Sequence, residues 1–181
     1  MNSTLVIDSH LLLRLPVIND EQEIFQLLDS NRDRLGPRQR DMSKDELLID
    51  SLGFIEYCIK GFQNSGAHSY MLQFEDQIVG FIGFVSLDIG CNNKAELSYW
   101  IGSEFEGKGL VYLSTQSLIQ YCFKDLKLNR LFLQIEFDNF RSIKLAEKLG
   151  FKLEGTLRQN IKEFGRFIDM NIYGLLAKET K

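Results

Sequence analysis

The chain has 181 residues, 44% of them hydrophobic and 25% charged, enough to bury one substantial core without disulfide or metal staples. A formal net charge of −4 and a pI near 5.3 argue against a nucleic-acid surface and suit a cationic substrate. No run reaches the roughly 18 uncharged apolar residues of a membrane helix. Residues 1–15 lack the layout of a secretory signal. Cys58, Cys91 and Cys122, with His10 and His68, offer neither a disulfide framework nor a zinc spacing. The expectation is one cytoplasmic domain over residues 1–181, with no metal, no nucleic-acid partner and no membrane contact.

In chain order, residues 11–15 read as a strand closed by Pro16. Asn19-Asp20 caps a helix over 21–31, with Ile24, Leu27 and Leu28 at helical spacing. Ser43, followed by Glu46 at capping-box distance, starts a second helix that carries Leu47, Leu48, Leu52 and Ile55 toward residue 62. Residues 68–74 and 77–87 form a hairpin turning at Glu75-Asp76, and 94–101 a further strand. A helix over 108–124, a strand over 130–137, a short helix over 141–149 stopped by Gly150, and strands over 151–157 and 167–176 complete the pattern.

That order gives an α/β (α+β) domain with a mixed, mostly antiparallel twisted sheet flanked by about four helices. The strands on either side of the 108–124 helix should be parallel neighbours joined by a right-handed crossover. Ligands in such sheets sit beyond the carboxyl ends of the parallel strands, where the Gly107 turn, Glu136 and Asp138 fall.

The Gly107-Lys108-Gly109 turn reads as an anion site. Two glycines let backbone approach a ligand, the first helical amides point outward at the positive dipole end, and Lys108 adds a charge. On its own the spacing is also that of a plain tight turn. A nucleoside-triphosphate loop is excluded because Gly109 follows Lys108 where Ser or Thr is needed, and a dinucleotide fingerprint because Tyr112 stands at the position of its third glycine.

Four ordered segments carry a closer likeness. They are His10-Leu11-Leu12-Leu13-Arg14-Leu15, Ala95-Glu96-Leu97-Ser98-Tyr99-Trp100-Ile101-Gly102, the loop Glu106-Gly107-Lys108-Gly109-Leu110-Val111, and Asn139-Phe140-Arg141-Ser142 continuing through Glu147-Lys148-Leu149-Gly150-Phe151 to Glu154-Gly155. Together they resemble the GNAT superfamily of acetyl-CoA-dependent N-acetyltransferases, and within it the subgroup that acetylates ribosomal-protein N-termini. The resemblance implies a single GNAT-type domain that transfers acetyl from acetyl-CoA to a primary amine in a ternary complex. The acceptor would be a protein N-terminus, ribosomal in the subgroup, and the arrangement is compatible with a homodimer. The loop departs from the family pattern at two places, a carboxylate at Glu106 and a branched side chain at Val111.

By the same resemblance, Trp100, Ile101 and Gly102 contact the cofactor. Glu106, Gly107, Lys108, Gly109, Leu110 and Val111 cradle its pyrophosphate, Asn139 holds the pantetheine arm and Ser142 protonates the leaving thiolate. The tyrosine that many members use for that proton is replaced by Ala146. Tyr99 is read as structural, and the oxyanion as met by backbone N–H groups where residues 99–102 bulge from a neighbouring strand. Glu96, acting through water, is the first candidate base; Glu136 and Asp138 are further ones, and Glu163 lies near Ile161, where the subgroup places another carboxylate. Residues 21–62 would form the acceptor wall, although Asn31-Arg32 and Arg38-Gln39-Arg40-Asp41 name no ligand. Two other readings stay open: a small-amine acetyltransferase acting on polyamines or aminoglycosides, and a non-catalytic acyl-CoA-binding module.

Overall fold

A computed structural model describes residues 1–34, 44–163 and 165–180. The elements are β1 (Thr4–Val6), β2 (Leu11–Arg14), α1 (Glu21–Asp29), α2 (Lys44–Gln63), β3 (His68–Phe74), β4 (Gln77–Asp88), β5 (Lys94–Ile101), α3 (Leu110–Lys124), β6 (Arg130–Glu136), α4 (Phe140–Lys148), β7 (Lys152–Glu163) and β8 (Arg166–Leu176). The strands form one eight-stranded sheet in the order β1-β2-β3-β4-β5-β6-β8-β7. Only β5 and β6 run parallel; every other neighbouring pair is antiparallel. None of the helices among the described residues is long and apolar enough to cross a membrane.

Alternation along the strands divides the core into two layers. On one face Leu72, Ile82, Leu97, Leu131, Leu133 and Leu175 pack against Leu110, Leu118, Ile119 and Cys122 of α3 and Ala146 of α4. On the other, Met71 and Ile78 pack against Ile24, Leu27 and Leu28 of α1 and Leu47 and Ile55 of α2, with Phe81 and Trp100 at the margin. The apolar positions on α1 fall at i, i+3 and i+4, the spacing that puts one stripe of a helix on the sheet.

Several boundaries differ from the sequence reading. Strand β1 is additional; three residues are too few to show a period. Helix α3 begins at Leu110, because Gly107 and Gly109 adopt φ of +74° and +79°, outside the right-handed helical range, which leaves Gly109 as the cap. Strand β7 runs on to Glu163 past an irregularity that turns residues 158–160 out of the ladder. Asp20 does not cap α1 with its side chain. Its carboxylate is held by the Arg14 guanidinium at 2.6 and 2.9 Å and accepts the Val17 N–H at 2.7 Å, stronger claims than one helical amide can make. Ser43 and the 38–41 run lie outside the described residues, as does the side chain of Glu163.

Candidate active site

Strands β5 and β6 pair only through Lys94↔Arg130, Ala95↔Leu131 and Glu96↔Phe132. Beyond Glu96 they part, although β5 continues to Ile101 and β6 to Glu136. The parting opens a cavity of about 730 Å3 whose walls include Tyr99, Trp100 and Ile101 of β5, Gly107, Gly109, Leu110 and Val111 of the turn, and Asn139 and Ser142 at the start of α4. Gly102 N–H donates to Val79 O at 2.9 Å, so the backbone of Gly102 and, by alternation, of Trp100 faces β4. The backbone groups of Tyr99 and Ile101 therefore face the split. The backbone groups of this segment are thus open as expected, but for a different reason. Residues 99–102 do not bulge; the register shift lies on β4 at Phe84/Ser86, and the open edge comes from losing β6.

Gly102 is buried and absent from the cavity wall. A Cβ there would lie 2.9 Å from Leu27 Cδ1, the movable end of a side chain on α1, so a larger residue would press on that side chain. Trp100 reaches the cavity, yet its indole stacks on Phe81 at 5.4 Å between centroids, which makes it part of the α1–α2 layer.

At the turn, the first helical bond runs from Leu113 N–H to Gly109 O at 3.1 Å. The amides of Gly109, Leu110, Val111 and Tyr112 precede it and carry the positive end of α3. A Cβ on Gly107 or Gly109 would meet nothing within 4 Å, so what demands glycine at both is the left-handed backbone alone. Lys108 is exposed, off the cavity wall, with Nζ 4.9 Å above the Phe105 ring. Its charge stands at the rim.

Glu106 does not add negative charge to this end unopposed. Its two carboxylate oxygens pair with Arg34, from the turn after α1, and with Arg141, on the first turn of α4. Arg34 also donates to Ile101 O at 3.3 Å. One carboxylate thus gathers two arginines from opposite walls, and the trio carries net charge +1. Asn31, buried behind Arg34, donates to Leu27 O and accepts Ser103 N–H, both at 2.9 Å, which fixes the turn after β5 against α1. The sequence reading set Asn31 and Arg34 only within the broad 21–62 wall and gave Arg141 no role, since Ser103 and Glu106, which tie them to this turn, lie far off in the chain.

Asn139 caps α4, its Oδ1 accepting Ser142 N–H at 3.1 Å. Ser142 is half-buried in the cavity wall. Tyr99 approaches it from β5, with the phenol donating to Ser142 O at 3.5 Å; burial pushes the phenol above its ordinary range, so it stays protonated at neutral pH. Tyr99 is thereby a wall of the cavity as well as a core residue.

Glu96 and Glu136 do not line this cavity. Glu96 is the last residue of β5 still paired with β6, so its carboxylate stands at the apex of the split on the face shared with Trp100. Burial pushes it above the usual carboxylate range, and a 2.9 Å hydrogen bond from Gln134 Nε2 pulls it part of the way back. Gln134 Oε1 in turn accepts from Asn160 Nδ2 at 3.1 Å. Glu136 ends β6, half-exposed, and its carbonyl accepts Asn139 N–H at 3.0 Å. Asp138 lines the cavity mouth and is exposed.

Residues 10–152 match the family model of the acetyltransferase (GNAT) domain. A Bacillus subtilis (strain 168) protein provisionally named ribosomal N-acetyltransferase YdaF is 29% identical over 97% of this chain and 96% of its own length. The ribosomal-protein-serine acetyltransferase of Escherichia coli (strain K12) is 26% identical over 96% of each chain. Among solved structures, the microcin C7 self-immunity acetyltransferase MccE, in complex with acetyl-CoA and AMP, superposes with a TM-score of 0.86 at 27% identity, covering 97% of both chains.

Proposed function

The chain belongs to the GNAT acetyltransferase family and takes its acetyl group from acetyl-CoA; we propose that the amine it acetylates is the N-terminal α-amine of a protein, a ribosomal protein foremost. The observation that carries this reading is the parting of β5 from β6 immediately after Glu96, which sets a half-buried carboxylate at one end of a gap and the amide-rich turn at the other. The residues fit the donor. Unpaired helical amides, Lys108 and the Arg34–Glu106–Arg141 trio suit a diphosphate, and the apolar walls with the open edge of β5 suit an extended arm.

Only the neutral amine is a nucleophile. Freeing an α-amine of pKa about 8 at pH 7 costs about 1.4 kcal/mol, against about 4.6 kcal/mol for a lysine of pKa about 10.4. A single carboxylate backed by neutral amides is a modest base, and it is matched to the easier of these tasks. In the proposed step the amine nitrogen bonds to the thioester carbon, and its proton passes through a water to Glu96. The N–H groups of Tyr99 and Ile101 that face the split meet the oxyanion. The C–S bond then breaks and the thiolate takes a proton through the Ser142 hydroxyl, which regains one from water as Glu96 returns its proton to solvent. Glu136 and Asp138 are left to orient the acceptor. The names of two full-length relatives support a ribosomal acceptor, and three free thiols suit the cytoplasm.

The test is turnover with acetyl-CoA on a panel of peptides with free N-termini, spermidine and an aminoglycoside, followed by free thiol. Peptide turnover alone supports the proposal. Turnover confined to the small amines replaces it with the small-amine reading, and binding of acetyl-CoA without any turnover favours a non-catalytic module.

A further inference from the structure

Three amide and carboxylate groups from separate strands form one hydrogen-bonded line: Asn160 Nδ2 to Gln134 Oε1 at 3.1 Å, then Gln134 Nε2 to Glu96 Oε1 at 2.9 Å. Its direction is forced by chemistry. An ionised carboxylate only accepts, so Gln134 must present its NH2 to Glu96, and its remaining carbonyl must then be met by a donor. Asn160 supplies that donor. Turned the other way, Gln134 would set a carbonyl oxygen against a carboxylate.

The backbone is built to deliver Asn160. Leu157 opposes Met170 and Ile161 opposes Ile168, so residues 158–160 stand against Asp169 alone. Gln159 adopts φ of +52°, uncommon for a residue with a side chain, and its N–H donates to Asp169 Oδ1 at 2.7 Å. The loop so pinned reaches past β8, which lies between β7 and β6, to touch Gln134. A bulge of this kind commonly re-aims a side chain toward a site.

We propose that Gln134, oriented by Asn160, is the positioning residue that occupies Glu96 Oε1 and so turns Oε2 of that carboxylate to the split of the sheet, where it takes the proton of the acceptor amine. The proposal rests on the reading of Glu96 as the base. The same hydrogen bond opposes the effect of burial, which on its own would favour the neutral acid. Other charged groups on this part of the sheet are Lys94 on β5, Asp88 opposite it on β4, Arg130 on β6 with its partner Glu154 on β7, Glu136 on β6, and Asp169 on β8 against the bulge; Arg158 lies in the bulge itself. Helix α3 packs on the opposite face.

A double-mutant cycle tests it, with whichever acceptor of the panel above the wild-type chain turns over and with kcat/KM for that acceptor measured against pH. Gln134→Leu is expected to lower kcat/KM about tenfold, the loss of one hydrogen bond to a charged group. It should also move the acid limb of the profile upward, leaving acetyl-CoA affinity unchanged. Asn160→Ala, on the exposed bulge, should shift the limb the same way by less. In a Glu96→Gln background, Gln134→Leu should cost nothing further. An equal cost in both backgrounds, or an unmoved acid limb in both Gln134→Leu and Asn160→Ala, would overturn the positioning role while leaving Glu96 in place. A wild-type rate for Glu96→Gln would overturn the base and its holder together.

Discussion

The donor side of the split sheet is made of backbone, and the acceptor side of side chains. At the 107–111 turn the useful groups are amides of α3, exposed because two glycines hold positive φ. Around Glu96 they are a carboxylate and two amides contributed by β5, β6 and β7. Backbone sites tolerate many side chains but not a changed conformation. Side-chain sites tolerate neither a changed atom nor a changed orientation. Substitutions on the two sides should therefore fail differently, the first in affinity for acetyl-CoA and the second in turnover.

The largest effect should fall on the acceptor side. Glu96→Gln is expected to lower kcat on an α-amine acceptor about a hundredfold, within the ordinary reach of a general base, with acetyl-CoA affinity by calorimetry unchanged. A parallel loss of affinity would erase the distinction between the sides. Ser142→Ala should cost kcat about tenfold to a hundredfold, since the coenzyme thiol is acidic enough to leave with little help. Single-turnover rates would separate this loss from slow product release.

Gly109→Val sharpens the contrast from the other side. Forcing a branched residue to φ of +79° strains the turn by about 1–2 kcal/mol. Acetyl-CoA affinity should fall about tenfold, while kcat at saturating donor holds. Glu106→Gln should act in the opposite sense. Freeing Arg34 and Arg141 from the carboxylate ought to tighten acetyl-CoA binding about two- to fivefold at low ionic strength, the scale of an exposed ion pair. Added salt should abolish the gain.

His68 belongs to neither side and gives the smallest effect. Its Nδ1 lies 2.7 Å from Gly66 O, Nε2 is buried without a partner in the described structure, and the ring sits among Phe62, Tyr70 and Phe84. Burial holds its pKa below the ordinary value. The unfolded chain therefore binds a proton first as pH falls, so the stabilising contribution is complete above about pH 6.5 and declines from there down to the folded-state pKa. Tm should drop between about pH 7 and pH 5.5, and His68→Phe should flatten that slope without altering kcat at neutral pH.

The same contrast explains what could be read from the chain. The turn and the Asn139-to-Ser142 segment are contiguous runs whose residue types are dictated locally, by positive φ and by a helix start, so both stood out in the sequence. The alternation of Leu131, Leu133 and Ile135, or the spacing of Ile24, Leu27 and Leu28, was legible for the same reason. Gln134 and Asn160 carry no such signature. Each is an ordinary strand amide until the parting of β5 from β6 and the 158–160 bulge bring them to Glu96, and no glycine or proline marks that bulge. Asp20 stands at the cap position of α1 as read, but its carboxylate goes to Arg14, a partner that reaches it only after β2 has turned into α1. Gly102 follows Trp100 and Ile101 in the chain, yet it is buried and off the cavity wall, a placement that only the folding of β5 onto α1 reveals.

The direct measurement is to incubate the chain with acetyl-CoA and one peptide that bears both a free N-terminal serine and an internal lysine, and to locate the added acetyl group by fragment mass spectrometry. Acetylation at the α-amine, with the lysine untouched and the product lost in Glu96→Gln, is the result expected of a modest base at the apex of the split. Acetyl on the lysine, or α-amine product formed equally fast without Glu96, would contradict it.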